Sequence, residues 1–154
     1  MDLKSLYQDL ILDHGKNPRN FKTLDKVSNS IVAHNPLCGD KVEIFVFLEE
    51  NTVQDISFQG NGCAICIAAA SVMTEVTRKK MINEIKQLID FFLKNMRKVD
   101  ISKPFKISEE DLLRINSFSS VGDFPMRIKC ATLPWIGLNS LLFDNKKKIN
   151  IDKV

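Results

Sequence analysis

The sequence predicts an α+β domain in which one helix precedes a three-stranded antiparallel sheet and further helices pack on one face of that sheet. Two observations carry the prediction. Apolar residues repeat at helical spacing in residues 2–13 and again from residue 63 onward. Between these segments, residues 31–58 contain β-branched and aromatic runs that are typical of strands. A length of 154 residues is sufficient for one domain with a core of its own.

The first half of the chain supplies one helix and the sheet. In residues 2–13, leucine, tyrosine and isoleucine fall at three- and four-residue steps. His14 and Gly15 are expected to end this helix, and a charged histidine would be favourable at its carboxyl end. The predicted strands are residues 31–34, 42–48 and 53–58. The short link between the last two favours an antiparallel hairpin.

The second half is predicted to be helical. The predicted helices are residues 63–79, 82–98, 108–116 and 132–144, with a loop at 117–125. Ser108 is a suitable capping residue for the third helix. The last helix is expected to begin near Thr132, because proline is tolerated in a first turn and Pro134 follows closely. We assign residues 1–145 to one domain and residues 146–154 to a flexible, lysine-rich tail.

Composition and charge exclude several classes of function. With 44% hydrophobic residues, 27% charged residues and a net charge of +3, nothing favours a nucleic-acid partner. The first residues lack the pattern of a signal peptide, and the longest nearly apolar run, residues 63–73, is too short to span a membrane. We therefore expect a cytoplasmic protein with no membrane partner. In that compartment, four cysteines favour metal binding or thiol chemistry over disulfides.

Three cysteines and one aspartate form the candidate site. Cys38 and Asp40 flank Gly39, so both can point to one side of a tight bend while the glycine avoids steric bulk. Cys63 opens a predicted helix, where unpaired N–H groups favour a thiolate. Cys130 is expected just before the last helix. Three thiolates and a carboxylate suit a four-coordinate zinc ion, provided that the loops meet.

Basic residues near the last cysteine could balance the charge of this site. Three thiolates and one carboxylate around a divalent ion leave a formal charge of about −2. Arg127 and Lys129 precede Cys130 closely and are candidates to offset this excess. The amino end of the helix that follows Cys63 is another.

Cys66 and the histidines are weaker candidates. Cys63 and Cys66 form a C-x-x-C pattern, which alone could indicate a metal knuckle or a redox pair. Because the pattern opens an alanine-rich helix, packing of Cys66 as a small apolar residue is favoured over an auxiliary thiol or a ligand. His34 could reach a metal near Cys38, but a solvated or hydrogen-bonded strand histidine is the simpler interpretation.

Three motifs together resemble the U-type, NifU/IscU-like iron–sulfur cluster assembly proteins over nearly the whole chain. The motifs are Asn35-Pro36-x-Cys38-Gly39-Asp40, Phe58-x-Gly60-x-Gly62-Cys63-Ala64-Ile65 and Arg127-Ile128-Lys129-Cys130-Ala131-x-Leu133-x-Trp135. The chain is more similar to the SufU branch than to the IscU branch. Lys129 stands where IscU proteins usually carry a histidine, and the long stretch before Cys130 contains an inserted segment typical of SufU proteins.

This resemblance implies a zinc-dependent sulfurtransferase. One zinc ion per chain would be bound by Cys38, Asp40, Cys63 and Cys130. Cys38 would accept persulfide sulfur from a SufS-type cysteine desulfurase, after a histidine of that partner replaces Cys38 at the zinc. Arg127 would orient the site or balance its charge, and downstream iron–sulfur assembly components would be further partners.

Two other functional classes stay open at this point. The same ligands could hold iron or an iron–sulfur cluster, which would make the protein a scaffold that builds a cluster before transfer to apo-proteins. A noncatalytic module stabilised by zinc is the third class. Asp40 argues against it, because structural zinc sites are normally closed by cysteine and histidine alone.

Overall fold

A four-stranded sheet with helices on one face forms the centre of the fold and confirms the predicted α+β class. The computed structural model describes residues 2–99, 102–104 and 106–151. The helices are α1 (Leu3–Lys16), α2 (Ala64–Thr77), α3 (Ile82–Arg97), α4 (Glu109–Asn116) and α5 (Pro125–Phe143), and the strands are β1 (Asn29–Asn35), β2 (Asp40–Glu49), β3 (Thr52–Asn61) and β4 (Lys148–Asn150). The predicted loop at 117–125 contains a short 3-10 helix, Ser119–Asp123.

The sheet has the strand order β3-β2-β1-β4. The three predicted strands pair antiparallel, with Asn35 at the end of β1 opposite Asp40 at the start of β2. The turn between these two residues therefore lies at one end of the sheet. The end of β3 pairs beside it, Asn61 opposite Lys41, and leads into α2. This arrangement brings two of the three motifs to the same end of the sheet.

The fourth strand corrects the prediction of a three-stranded sheet followed by a flexible tail. Lys148–Asn150 pairs parallel with β1, and Ile151 N–H donates a hydrogen bond to the carbonyl of His34. Ile149 packs against the core and Ile151 is buried, whereas Lys148 is exposed. The lysine-rich sequence gave no strand signal, because the strand is three residues long and only alternate side chains of a strand face the core. Residues 152–154 of the predicted tail lie outside the described residues.

The last helix begins seven residues earlier than predicted. Pro125 occupies its first turn, where the missing N–H needs no partner, and Pro134 lies inside the helix. The prediction took the second proline as the start of the helix. As a result, Cys130 does not precede the helix but lies within it, with Arg127 in the first turn.

His14 also differs from its prediction, because α1 continues to Lys16 and the histidine is buried within it. Its Nδ1 lies 2.7 Å from Ser71 Oγ of α2. Burial and, to a smaller extent, the positive charge of Arg19 together lower the pKa of His14 to about 4. The side chain is therefore neutral at pH 7 and joins two helices, and the prediction of a favourable helix-end cation was wrong.

The core lies between the sheet and helices α2, α3 and α5. Inward-facing side chains alternate along β1 and β2, as the period of a strand requires. Helix α2 is rich in alanine and buried on most sides, while Trp135 of α5 stacks on Phe92 of α3 with ring centroids 4.4 Å apart. Within the described residues, no helix is both long and apolar enough to cross a membrane.

Candidate metal centre

The first part of the site is the tight turn that joins β1 to β2. The carbonyl of Asn35 accepts a hydrogen bond from Gly39 N–H at 2.9 Å, and Asn35 Oδ1 accepts one from Leu37 N–H at 3.2 Å. Gly39 has a φ of +77°, a conformation that glycine adopts without the strain a side chain would add. A Cβ at Gly39 would meet nothing within 4 Å. Glycine is therefore required here for its backbone conformation and not, as predicted, to keep a side chain away from the ligands.

Asp40 connects this turn to the start of α2. Its carboxylate is buried, and Oδ1 accepts a hydrogen bond from Cys63 N–H at 2.9 Å. Oδ2 accepts one from Cys38 Sγ at 3.0 Å. Gly62 leaves room for this carboxylate, because a Cβ there would lie 2.7 Å from Asp40 Oδ1. Asp40 thus occupies the amino end of α2, where a negative charge is favoured.

Three of the four predicted ligands come together. Ligand atoms of Cys38, Asp40 and Cys130 all lie within 4.8 Å of one another. The two sulfur atoms are 3.8 Å apart. Two sulfur ligands of a tetrahedral zinc, each bound at about 2.3 Å, have a separation of about 3.8 Å. The donor types and the sulfur–sulfur distance therefore fit a zinc ion.

Cys63, the fourth predicted ligand, lies at the edge of this group. It is the N-cap residue of α2 and is partly buried, but it is not among the three residues whose ligand atoms lie within 4.8 Å. Hydrogen bonding to Cys63 contributes to the raised pKa of Cys130, so the two thiols are neighbours. The structure thus brings Cys63 to the site through its backbone bond to Asp40 and its contact with Cys130.

The thiols of Cys38 and Cys130 are held in their protonated form when no cation is bound. Burial raises the pKa of Cys130, and hydrogen bonds to Asp40 and Cys63 raise it further. Burial and the carboxylate of Asp40 also raise the pKa of Cys38. Each of these groups thus disfavours the negative charge of its neighbours. A divalent cation reverses this situation, because a coordinated thiol loses its proton.

Arg127 faces the cysteines from the first turn of α5. Its side chain is exposed, and hydrogen bonding to Cys130 together with the charge of Cys63 raises its pKa. The guanidinium therefore interacts electrostatically with the cysteines whose charge it was predicted to balance. Lys129, the other basic candidate, lines a groove beside Cys38.

Cys66 belongs to the core, as predicted. It lies one turn after Cys63 in α2, is fully buried and packs in a cluster with Ala33, Val42 and Phe58. Burial raises the pKa of its thiol well above the usual value. His34 lies partly buried on β1 and is not a member of the metal-binding group.

An apolar groove beside the site was missed by the sequence analysis. It has a volume of about 280 Å³ and is lined by Asn35, Leu37, Cys38, Pro125, Met126 and Lys129. Leu37 is 73% exposed and Met126 is 84% exposed. The available signal was an apolar residue after a proline at two places, Pro36-Leu37 within the first motif and Pro125-Met126 just before the third. Met126 could not be placed beside Cys38 before the start of α5 was known.

Comparison with known proteins gives a consistent assignment. The family model described as the NifU-like N terminal domain matches residues 6–131. The chain is 37% identical over 139 residues to the zinc-dependent sulfurtransferase SufU of Bacillus subtilis (strain 168), covering 89% of each chain. It is 34% identical over 140 residues to the iron–sulfur cluster assembly scaffold protein IscU of Streptococcus pyogenes serotype M1, covering 91% of this chain and 84% of that protein.

A solved structure agrees with these relatives. The putative iron–sulfur cluster assembly scaffold protein for the SUF system of Fervidobacterium islandicum AW-1 superposes with a TM-score of 0.78 at 28% identity. The alignment covers 90% of this chain and 97% of that one. The predicted resemblance to the NifU/IscU-like proteins is thereby confirmed.

Proposed function

We propose that this chain, which belongs to the NifU-like N-terminal domain family of iron–sulfur cluster assembly, is a zinc-dependent sulfurtransferase. In this proposal, Cys38 accepts persulfide sulfur from a cysteine desulfurase. The observation that carries it is the unequal exposure of the clustered ligands. Cys38 is exposed and borders a groove, whereas Asp40 and Cys130 are buried. One thiol of the cluster is thus accessible to a partner while the others remain inside.

The chain's own residues would hold the metal as follows. Cys38, Asp40 and Cys130 already have suitable spacing, and Cys63 would complete the set of four from the amino end of α2. When bound, zinc would keep the thiols deprotonated at neutral pH. Arg127 would offset part of the negative charge of the ligands. Hydrogen bonding by Cys63 N–H keeps the Asp40 carboxylate in place.

Sulfur transfer to Cys38 is a displacement in which no oxidant is needed. The Cys38 thiolate attacks the outer sulfur of the partner's persulfide. A new S–S bond forms on Cys38 as the partner's S–S bond breaks, and the electron pair leaves on the partner's cysteine sulfur. Among Cys38, Asp40 and Cys130, which would hold the zinc ion, only Cys38 is exposed, so its sulfur is the one that the partner's persulfide could reach.

The decisive experiment incubates the zinc-loaded protein with a SufS-type cysteine desulfurase and cysteine. Mass spectrometry after alkylation should find one extra sulfur atom on Cys38, and alanine production should rise. Cys38→Ala should abolish both results, whereas the matched variant Cys66→Ser should retain most of the acceptance, because Cys66 is fully buried. Absence of persulfide on Cys38 in a zinc-loaded wild-type protein would refute the proposal.

A scaffold function is the second candidate, because the chain has a similar identity to the IscU scaffold protein of Streptococcus pyogenes. Sulfur and carboxylate donors can also hold iron. Anaerobic incubation with ferrous iron and sulfide tests this function. A stable cluster absorbance that disappears in Cys130→Ala and is transferred to an apo-ferredoxin would favour the scaffold. A protein that stays colourless and keeps its zinc would exclude it.

A further inference from the structure

Asn35 combines burial with an incompletely used side-chain amide. The residue is 2% exposed, yet it lines the groove that also borders Cys38. Its Oδ1 accepts the hydrogen bond from Leu37 N–H, so the amide NH₂ group is directed away from that bond. Among the described residues, none accepts a hydrogen bond from Asn35 Nδ2. This nitrogen is not one of the fully buried side-chain atoms that lack a partner, so it is open to the groove, where an unpaired N–H donor is available to a ligand.

The backbone of the turn brings Cys38 next to this amide. Gly39 N–H donates to the carbonyl of Asn35, so the chain folds back on Asn35 within one turn. Asn35 and Cys38 consequently border the same groove. Because Cys38 is exposed and lines this groove, a sulfur atom added to its thiol has room in the shared space.

We propose that Asn35 Nδ2 donates a hydrogen bond to the sulfur atom that Cys38 receives. The inference rests on the proposed sulfurtransferase function and adds a residue that contacts the transferred atom. During transfer, the outer sulfur forms its bond to Cys38 Sγ as its bond to the partner's sulfur breaks, and the electron pair leaves with the partner. The product is a Cys38 persulfide whose outer sulfur is an anion when deprotonated. An N–H donor stabilises this anion without supplying a proton.

Two substitutions separate this role from a purely structural one. Asn35→Asp keeps an oxygen for Leu37 N–H, so it preserves the turn, but it removes the donor. Asn35→Ala removes both. Because Asn35→Asp also adds a negative charge, Asn61→Asp is the matched control. Asn61 is exposed at the end of β3, opposite Lys41, and does not line the groove.

The experiment uses the full-length, zinc-loaded proteins with a SufS-type desulfurase and cysteine. It measures the zinc content, the thermal transition, the rate of Cys38 persulfide formation and the lifetime of that persulfide. We expect Asn35→Asp to keep its zinc and its thermal transition but to form or hold the persulfide at least tenfold less well than the wild type. Asn35→Ala should show the same loss, and Asn61→Asp should stay within twofold of the wild type.

Several outcomes would overturn the proposal. Persulfide formation and lifetime within twofold of the wild type in Asn35→Asp would exclude the donor. An equal loss in Asn61→Asp would assign the effect to charge. Loss of zinc or of the thermal transition in Asn35→Asp would assign Asn35 to the turn alone. A wild-type protein that never carries persulfide on Cys38 would instead refute the sulfurtransferase function itself, so the two failures are distinct.

Discussion

Two buried polar clusters in this domain differ in the charge that their groups can carry. At the contact of α1 with α2, Ser71 Oγ accepts Arg19 N–H at 2.8 Å, so its hydroxyl can donate to His14 Nδ1. His14 stays neutral there because burial lowers its pKa to about 4. At the metal centre, by contrast, Asp40 and Cys130 are buried side by side, and burial raises the pKa of Cys130. Both clusters bury polar groups, but only the second brings several potential anions together.

This difference separates structure from function. A cluster of neutral groups that satisfies its own hydrogen bonds stabilises the fold and needs no ligand. A cluster of potential anions is incomplete until a cation binds. The stability that comes from the His14 cluster should therefore depend on pH, and the stability that comes from the metal centre should depend on bound metal. A substitution in one cluster should leave the property of the other unchanged.

Substitution of Asp40 should have the largest effect. Asp40→Asn keeps an oxygen for Cys63 N–H but removes the charge. Loss of an outer partner of a metal ligand costs about 10- to 100-fold in affinity, so loss of a direct ligand should weaken zinc binding by at least about 100-fold. Competition with a zinc chelator measures this affinity. In the wild type, free zinc at 100 times its Kd should add about 2.7 kcal/mol to the free energy of unfolding.

The control for this variant is the stability of the metal-free protein. Without zinc, Asp40→Asn should unfold at a temperature close to that of the wild type, because it keeps an oxygen for Cys63 N–H and removes a buried carboxylate from a group of potential anions. Wild-type zinc affinity in Asp40→Asn would show that the carboxylate is not a ligand. A large loss of stability in metal-free Asp40→Asn would show that this cluster, like the one at His14, stabilises the fold without a ligand.

The pH dependence of stability should report on His14 and is the next largest effect. The pKa of His14 is about 4 in the folded protein and 6.5 in the reference state, so the unfolded chain binds the additional proton. Stability from this group is present above pH 6.5 and is lost as the pH falls toward about 4. The shift corresponds to roughly 3 kcal/mol. Urea unfolding of the metal-free protein between these pH values measures it.

His14→Leu should flatten the part of this profile that belongs to the histidine. The variant should also keep wild-type zinc affinity, because His14 is not a member of the metal-binding group. Ser71→Ala is a second probe of the same cluster, since it leaves Arg19 N–H and His14 Nδ1 without their common partner. An unchanged slope in His14→Leu would attribute the pH dependence to other groups.

The sequence contained the evidence for some of these features and not for others. The C-G-D pattern correctly predicted that Cys38 and Asp40 would meet, because two residues that flank a tight turn cannot lie far apart. The buried position of His14 was also detectable, since it continues the apolar stripe of Leu3, Tyr7 and Leu10 along α1.

Other features could not be found from local pattern. The first turn of α5 is exposed and has no apolar stripe that would mark the start of the helix, so Cys130 was placed outside the helix. The amide of Asn35 is directed by a single hydrogen bond within its turn. The edge strand β4 depends on pairing with β1, more than 100 residues earlier in the chain.

Gly62→Ala should give the smallest of these effects. It tests whether zinc affinity depends on the position of the Asp40 carboxylate. A Cβ at this position would lie 2.7 Å from Asp40 Oδ1, so the carboxylate must shift to admit it. The backbone of Gly62 does not have a positive φ, so alanine adds no strain of its own. We expect zinc affinity to fall by about tenfold, the lower end of the range for disturbed metal ligands. Chelator competition measures the change.

The comparison of interest is with Gly39→Ala. That substitution forces alanine to a φ of +77° but meets no atom within 4 Å, so it should cost about 1 kcal/mol of stability in the metal-free protein as well. Gly62→Ala should leave the metal-free protein unchanged. If both variants lost stability and affinity together, the turn and the carboxylate would form one cooperative unit, and the metal centre would depend on the fold as closely as the His14 cluster does.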